Sequence, residues 1–167
     1  MANVFFVGDI HGGHKNIHKY RTQFESEEHH YEVIKENYHS VVTKRDKVFF
    51  MGDIAFTQER LEDIGKWTAE RKVLILGNHC RDSISMENIC QQFDEVYSLL
   101  KYKNFWLSHA PIHPNELRGK YNLHGHVHFA SIDDSRYFNT SLENIDYTPI
   151  DLNTVRKRLG ILEKTYA

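Results

Sequence analysis

Residues 4–11 read VFFVGDIH. An apolar run ends in a glycine, and an aspartate and a histidine follow closely. The pattern recurs twice. Val48 to Met51 runs into Gly52-Asp53, and Val73 to Leu76 runs into Gly77-Asn78-His79. Short unbroken apolar runs closed by glycine are consistent with buried strands. Between them lie residues at helical spacing: Tyr31, Ile34, Tyr38 and Val41 within 27–42, then Leu61, Ile64 and Trp67 within 58–69. Strand, helix, strand, helix, strand implies parallel pairing with crossover helices, hence an α/β fold. In open α/β sheets, ligands collect beyond the carboxyl ends of the strands. Asp9, Asp53 and Asn78 are therefore expected in one crevice.

The second half reads as richer in strands. Residues 95–102 and 104–107 are expected to be strands, the second ending at Ser108-His109. A proline-containing loop covers 110–120. Residues 137–142 form another expected strand, and a closing helix over 152–162 is capped near Asp151 or Asn153. Residues 122–130 read NLHGHVHFA, with His124, His126 and His128 at every second position. The plain reading is a polar strand face. The alternative is a metal site, because neutral imidazole is the commonest protein metal ligand.

Composition narrows the function classes. Hydrophobic residues are 40% and charged residues 26%, as in ordinary globular domains, and the formal net charge is -2. A chain that tracks an extended phosphate backbone usually carries a basic excess, so no extended nucleic-acid binding is expected. No apolar run approaches the roughly 18 residues that span a bilayer, so no membrane partner is expected. The opening segment lacks a basic n-region and a small-residue cleavage pattern, and it reads as a first strand rather than a signal peptide. Cys80 and Cys90 make neither a disulfide framework nor a CxxC pair, so a reducing, cytoplasmic setting is expected. Neither repeats nor linkers appear, so residues 1–167 are read as one domain. Histidine is unusually frequent, with 12 copies spread along the chain.

Five blocks stand in order: Asp9-Ile10-His11, Gly52-Asp53, Gly77-Asn78-His79, Ser108-His109 and His124-Gly125-His126-Val127-His128. This order resembles the calcineurin-like metallophosphoesterases, whose blocks are DxH, GD, GNH, H and GHxH. Asp9 to Ile17 also looks like the DxHxxHxN opening of their small single-domain members, and Tyr147 to Leu152 resembles their tail. The fold implied is a two-sheet β-sandwich flanked by helices. The resemblance implies two divalent metal ions, Mn first, with Fe, Zn, Ni or Co as alternatives. It makes Asp53 the bridging ligand. Asp9, His11 and His128 would complete one metal site, and Asn78, His109 and His126 the other. His79 would contact the phosphate or protonate the leaving oxygen. The nucleophile implied is a hydroxide bridging the two metals.

The implied activity is hydrolysis of a small phosphodiester or phosphomonoester, a nucleotide among them, with the diester slightly favoured. Gly52-Asp53 and the GNH block are not continued as in protein Ser/Thr phosphatases. A non-catalytic scaffold that binds a protein partner is the alternative, and it is disfavoured because every mapped ligand is retained. A metal-storage or sensor protein would bind metal without hydrolysis.

Arg81, His14 and His113 are candidate substrate contacts, Arg81 because guanidinium matches phosphate geometry. Asn16 and His124 are read as structural. His18, His29, His30 and His39 are read as solvated helix face, and Tyr20, Tyr31 and Tyr38 as core or interface. Cys80 stands where many relatives carry an acidic residue, which leaves the orientation of His79 open, since a carboxylate can fix an imidazole's tautomer.

Overall fold

The computed structural model describes residues 1–161. Two mixed sheets are flanked by helices, as the resemblance implied. The first sheet has the order β4-β3-β2-β1-β9. Its strands are β1 (Val4–Val7), β2 (Lys47–Phe50), β3 (Arg71–Ile75), β4 (Glu95–Tyr97) and β9 (Ile150–Asp151). The first four run parallel, and β9 closes the edge antiparallel to β1. The second sheet has the order β5-β6-β7-β8, with β5 (Leu99–Tyr102), β6 (Phe105–Ser108), β7 (Tyr121–His124) and β8 (Tyr137–Asn139). Here β6, β7 and β8 are parallel, and β5 is antiparallel to β6.

Both faces of β2 are buried, which is why its sequence is apolar without alternation. Phe49 stacks on Phe6 at 5.4 Å and meets Tyr102 of the second sheet at 4.8 Å. Phe50 points the other way, against Tyr38 of the helix α2 (Glu27–Val41). Tyr31, Ile34 and Tyr38, at helical spacing, are the buried stripe of α2. Trp67 packs on Tyr38 at 4.8 Å and joins the same hydrophobic cluster as the sheet residues. Thus Tyr31 and Tyr38 are core, whereas Tyr20 is exposed.

Helix starts are marked by side-chain caps. Ser26 accepts from His29 N–H, Thr57 from Arg60 N–H, Ser85 from Asn88 N–H and Asp151 from Thr154 N–H. Of the two expected caps for the closing helix α5 (Leu152–Arg158), Asp151 is the one used. His18 lies in a short helix, α1 (Ile17–Tyr20), while the helix α4 (Met86–Gln92) was not expected.

Several expectations need correction. The run 95–102 is two strands in different sheets, because the chain crosses between layers at Ser98. The helix α3 (Gln58–Gly65) ends before residue 69, where Lys72 Nζ caps the carbonyls of Gly65 and Trp67. The strand expected over 137–142 stops at Asn139, and a 3-10 turn follows at Leu142–Asn144. His30 is not solvated: it precedes Tyr31 on the inward face of α2, and its Nε2 lies 2.8 Å from Arg21 Nη1. His29 and His39 are exposed and His18 is half-buried. The helix expected over 152–162 ends at Arg158, with Leu159 as its C-cap and Gly160 at a positive φ of 67°; residue 162 lies outside the described residues.

Candidate metal centre

The parallel strands β1, β2 and β3 end on one edge, and the loops leaving them are laced together. Asp9 N–H donates to Gly52 C=O and His11 N–H to Asp53 C=O, each at 3.0 Å. Gly125 N–H donates to His109 C=O at 2.8 Å and ties the β7 exit to the β6 exit. Backbone pairing therefore continues past the strands and fixes the side chains that follow them. Asp9, His11, Asp53, His126 and His128 all have positive φ, between 47° and 69°. Asp and His visit this region more readily than most residues, yet each instance costs about 1–3 kcal/mol. The surrounding bonds hold the loops in this conformation, and it turns successive side chains inward.

Two groups of candidate ligand atoms result. Asp9, His11 and His128 form one, and Asp53, His109 and His126 the other, with all ligand atoms of a group within 4.8 Å of one another. Asp9 Oδ1 lies 3.6 Å from both His11 Nε2 and His128 Nε2. Asp53 Oδ2 lies 3.1 Å from His109 Nε2. Asn78 Oδ1 sits between His109 Nε2 and His126 Nδ1, at 3.0 Å from each. The groups adjoin, because Asp9 Oδ1 is also 4.0 Å from His109 Nε2.

The donor set fits divalent cations. Asp9 and Asp53 are buried carboxylates, and burying a charge costs heavily unless it is paired or coordinated. Both ring nitrogens of His11 are buried without a hydrogen-bond partner. Such orphans are rare in finished structures, and a ligand role accounts for one of them. Burial also pushes the His11 pKa down and so favours the neutral ring that metals bind. Imidazole nitrogen with carboxylate and amide oxygen suits first-row transition ions better than thiolate-seeking ones.

Outer contacts set the tautomers. His109 Nδ1 donates to Met51 C=O at 2.8 Å, which leaves the Nε2 lone pair facing Asp53 and Asn78. His128 Nδ1 donates to Glu143 Oε1 at 2.9 Å, which leaves its Nε2 facing Asp9. Burial would lower the His109 pKa, but the Asp53 and Asp9 carboxylates overcome this and raise it. The Glu143 carboxylate raises that of His128 against burial. Burial alone would raise the Asp53 pKa; His109 and the His79 N–H reverse this and lower it.

Close approach to the candidate ligands demands glycine. A Cβ on Gly125 would collide with Asp9 Oδ2, so the backbone approaches the carboxylate itself. Gly52 has φ of 92°, and a Cβ there would meet the His109 ring. His124 ends β7 inside the fold and bonds Gly125 C=O through Nδ1. His126 and His128 lie in the loop beyond it, so the three histidines are not one strand face.

His79 is exposed at the mouth of the site. Its N–H donates to Asp53 Oδ1 at 2.8 Å, and its Nδ1 lies 2.6 Å from Asp82 Oδ2. Cys80 is buried, and its Sγ accepts the Gly77 N–H at 3.1 Å. The carboxylate missing at position 80 is therefore supplied two residues later. Asp82 escaped the sequence reading, although its spacing of three from His79 was a usable signal. Glu143, Arg21 and Ser141, whose hydroxyl donates to Asp9 Oδ2 at 2.9 Å, carried no such signal. Phe56 also escaped it, and its ring packs against His11, His14 and His79 at 5.2–5.5 Å.

The candidate substrate contacts divide. His14 lines a cavity together with His11 and His128. Arg81 is exposed and belongs to neither ligand group. His113 is exposed, and its ring accepts the Asn115 N–H at 3.2 Å to start a 3-10 turn. Among the described residues, no helix is long and apolar enough to cross a membrane.

The chain is similar to several known proteins. An uncharacterised protein of Methanocaldococcus jannaschii is 26% identical over 94% of this chain and 91% of its own. The gene 66 protein of Mycobacterium phage L5 is 37% identical over 47% of this chain and 40% of its own. A protein of unknown function from Aquifex aeolicus superposes with a TM-score of 0.74 at 26% identity, over 94% of this chain and 99% of that one. The Pseudomonas putida nuclease MPE shares the fold with a TM-score of 0.50 at 20% identity, over 75% of this chain and 60% of that one. A model of the calcineurin-like phosphoesterases matches residues 2–159, and the chain belongs to that family.

Proposed function

We propose that the protein hydrolyses a small phosphoester at a dinuclear metal centre. The observation that carries this reading is the pair of adjoining ligand groups, with Asp9 Oδ1 only 4.0 Å from His109 Nε2 across their border. Two-metal sites hold their ions about 3.5–4 Å apart, so ligand sets that share an edge suit such a pair. Asp9, His11 and His128 would hold one ion, Asn78, His109 and His126 the other, and Asp53 would serve both. The ions would supply Lewis acidity toward the phosphoryl oxygens and activation of the attacking water near neutral pH. Mn is the first choice, with Fe, Zn, Ni or Co as alternatives.

The chain's own residues would do the rest. Asp53 and Asp9, held by the His79 and His126 N–H groups, keep the ligand atoms in place without reorganisation. His79 in its imidazolium form, steadied by Asp82 at Nδ1, would give its Nε2 proton to the leaving oxygen. A diester carries one negative charge and a monoester up to two. Arg21, the one guanidinium lining the cavity beside the ligands, is already bonded to Glu143. That favours the diester slightly.

The test sets bis-p-nitrophenyl phosphate beside p-nitrophenyl phosphate, with metal-stripped protein, manganese added back, and Asp53→Asn as control. Metal-dependent turnover that vanishes in the variant is expected, with the diester faster. No turnover of either ester across several metals would transfer the argument to a non-catalytic scaffold that binds a protein partner.

A further inference from the structure

A cavity of about 370 Å³ opens directly beside the first ligand group. His11 and His128 belong to both the cavity wall and the candidate metal site. The wall's apolar and aromatic part is Ile17 and Tyr20 from α1 and Phe129 from the loop after β7, and Arg21 and Glu143, bonded to each other, are its charged part. Tyr20 is 72% exposed and Phe129 is 73% exposed. Two large rings left in water at the mouth of one cavity are unusual on a free surface, and exposed apolar patches rimmed by polar groups mark binding sites. His14 stands behind Tyr20, edge to face with it at 6.0 Å, and so steadies that ring.

Charge decides what the cavity can take. Its one guanidinium, Arg21, is 1% exposed and donates to Asp9 C=O, Ile10 C=O and Glu143 Oε1. It has little left to offer a second phosphate. The volume lies near the lower end of small-molecule sites, about 300–1,000 Å³. It suits one ring-bearing group and not a length of polymer.

We infer that this cavity binds a neutral planar ring on the phosphoester, in an aryl or a nucleoside ester, with Tyr20 and Phe129 as its specificity-determining contacts. The inference rests on the phosphoesterase reading and names the substrate class for it. Aromatic faces bind flat rings with little regard to their hydrogen-bonding edges, so the site would select for a ring rather than for one base.

The test uses the manganese-loaded protein and ligands that cannot be hydrolysed. Dissociation constants are measured for methylphosphonate, phenylphosphonate and a nucleoside 5′-phosphonate. The ratio to methylphosphonate is taken on each protein, so that a change at the metals cancels. The expected result is phenylphosphonate about tenfold tighter than methylphosphonate on the wild type. The ratio should fall to near one in the Tyr20→Ala, Phe129→Ala double variant. A nucleoside phosphonate tighter still would assign a nucleoside ester, and a weaker one an aryl ester; both support a ring site. Equal affinity for the methyl and phenyl ligands, or a ratio unchanged in the variant, would overturn the inference while leaving hydrolysis intact. If none of the three binds and bis-p-nitrophenyl phosphate is not hydrolysed, the phosphoesterase reading itself is lost and the inference with it.

Discussion

His128 Nδ1 lies 2.9 Å from Glu143 Oε1. Arg21 Nε approaches the same oxygen at 2.8 Å, and this guanidinium also donates to the carbonyl of Asp9. One buried arginine therefore braces a candidate ligand directly through its backbone and a second one through a carboxylate. Outer partners of metal-bound histidine set ring orientation, and their loss typically costs 10–100-fold in metal affinity. Glu143→Gln keeps an acceptor for His128 but removes the charge that Arg21 pairs with. Manganese affinity should fall by about ten- to a hundredfold, read by titration calorimetry on stripped protein. The melting point should fall as well, because Arg21 is left buried with its charge uncompensated. Wild-type manganese affinity in the variant would show that Glu143 serves folding alone.

The His79–Asp82 pair leads to a second prediction. If His79 delivers a proton and Asp82 only steadies it, the two substitutions act through one group. His79→Ala should lower kcat about 10²–10⁴-fold. Asp82→Asn should cost less, and the double variant should match His79→Ala alone. A double variant whose loss is the product of the two would mean that Asp82 acts independently, on substrate or on the loop.

Gly125 tests how tightly the backbone fits the site. Its φ lies outside the left-handed region, so alanine brings no backbone strain. The added methyl comes nearest to the Asp9 carboxylate and the Met51 carbonyl. Gly125→Ala should therefore stay folded by circular dichroism yet bind manganese at least about tenfold more weakly, as expected when a ligand is moved from its geometry. Unchanged affinity would mean that Asp9 can shift without loss.

The parts of this molecule that were legible in the sequence are those with a local signature. β1, β2 and β3 announce themselves because both sheet faces are buried, so every side chain from Val48 to Met51 must be apolar. The ligand candidates follow strand ends, where a glycine and a metal-capable residue stand side by side. What stayed hidden depends on contacts distant in sequence. Arg21 meets Glu143 across 122 residues, and Ser141 meets Asp9 across 132. The break at Ser98 was hidden for a related reason: β4 and β5 are equally strand-like, and only their partners place them in different sheets. Tyr20 and Tyr31 look alike in sequence, yet one is core and the other stands at a cavity mouth.

His30 carries the last prediction, which concerns stability against pH. Burial is the main cause of its lowered pKa, the Arg21 guanidinium adds to it, and together they bring it to about 3. Arg21 Nη1 can only donate, so His30 Nε2 accepts and the folded ring is neutral. The unfolded chain has the ordinary histidine pKa of about 6.5, so below that pH it binds a proton that the folded state refuses. Stability then rises with pH. The contribution of His30 is complete above about pH 6.5 and is lost as pH falls from there toward about 3. Between pH 7.5 and 5.5, this amounts to about 1 kcal/mol. His11 and His124, whose pKa values burial also lowers, add losses of the same sign, so the wild type alone does not isolate His30. His30→Gln keeps a side-chain acceptor for Arg21 but cannot titrate. Urea unfolding of metal-stripped protein at the two pH values should show the wild type losing about 1 kcal/mol more than the variant. Parallel losses in the two proteins would mean that His30 is already protonated in the fold, and that its contact with Arg21 is not a hydrogen bond.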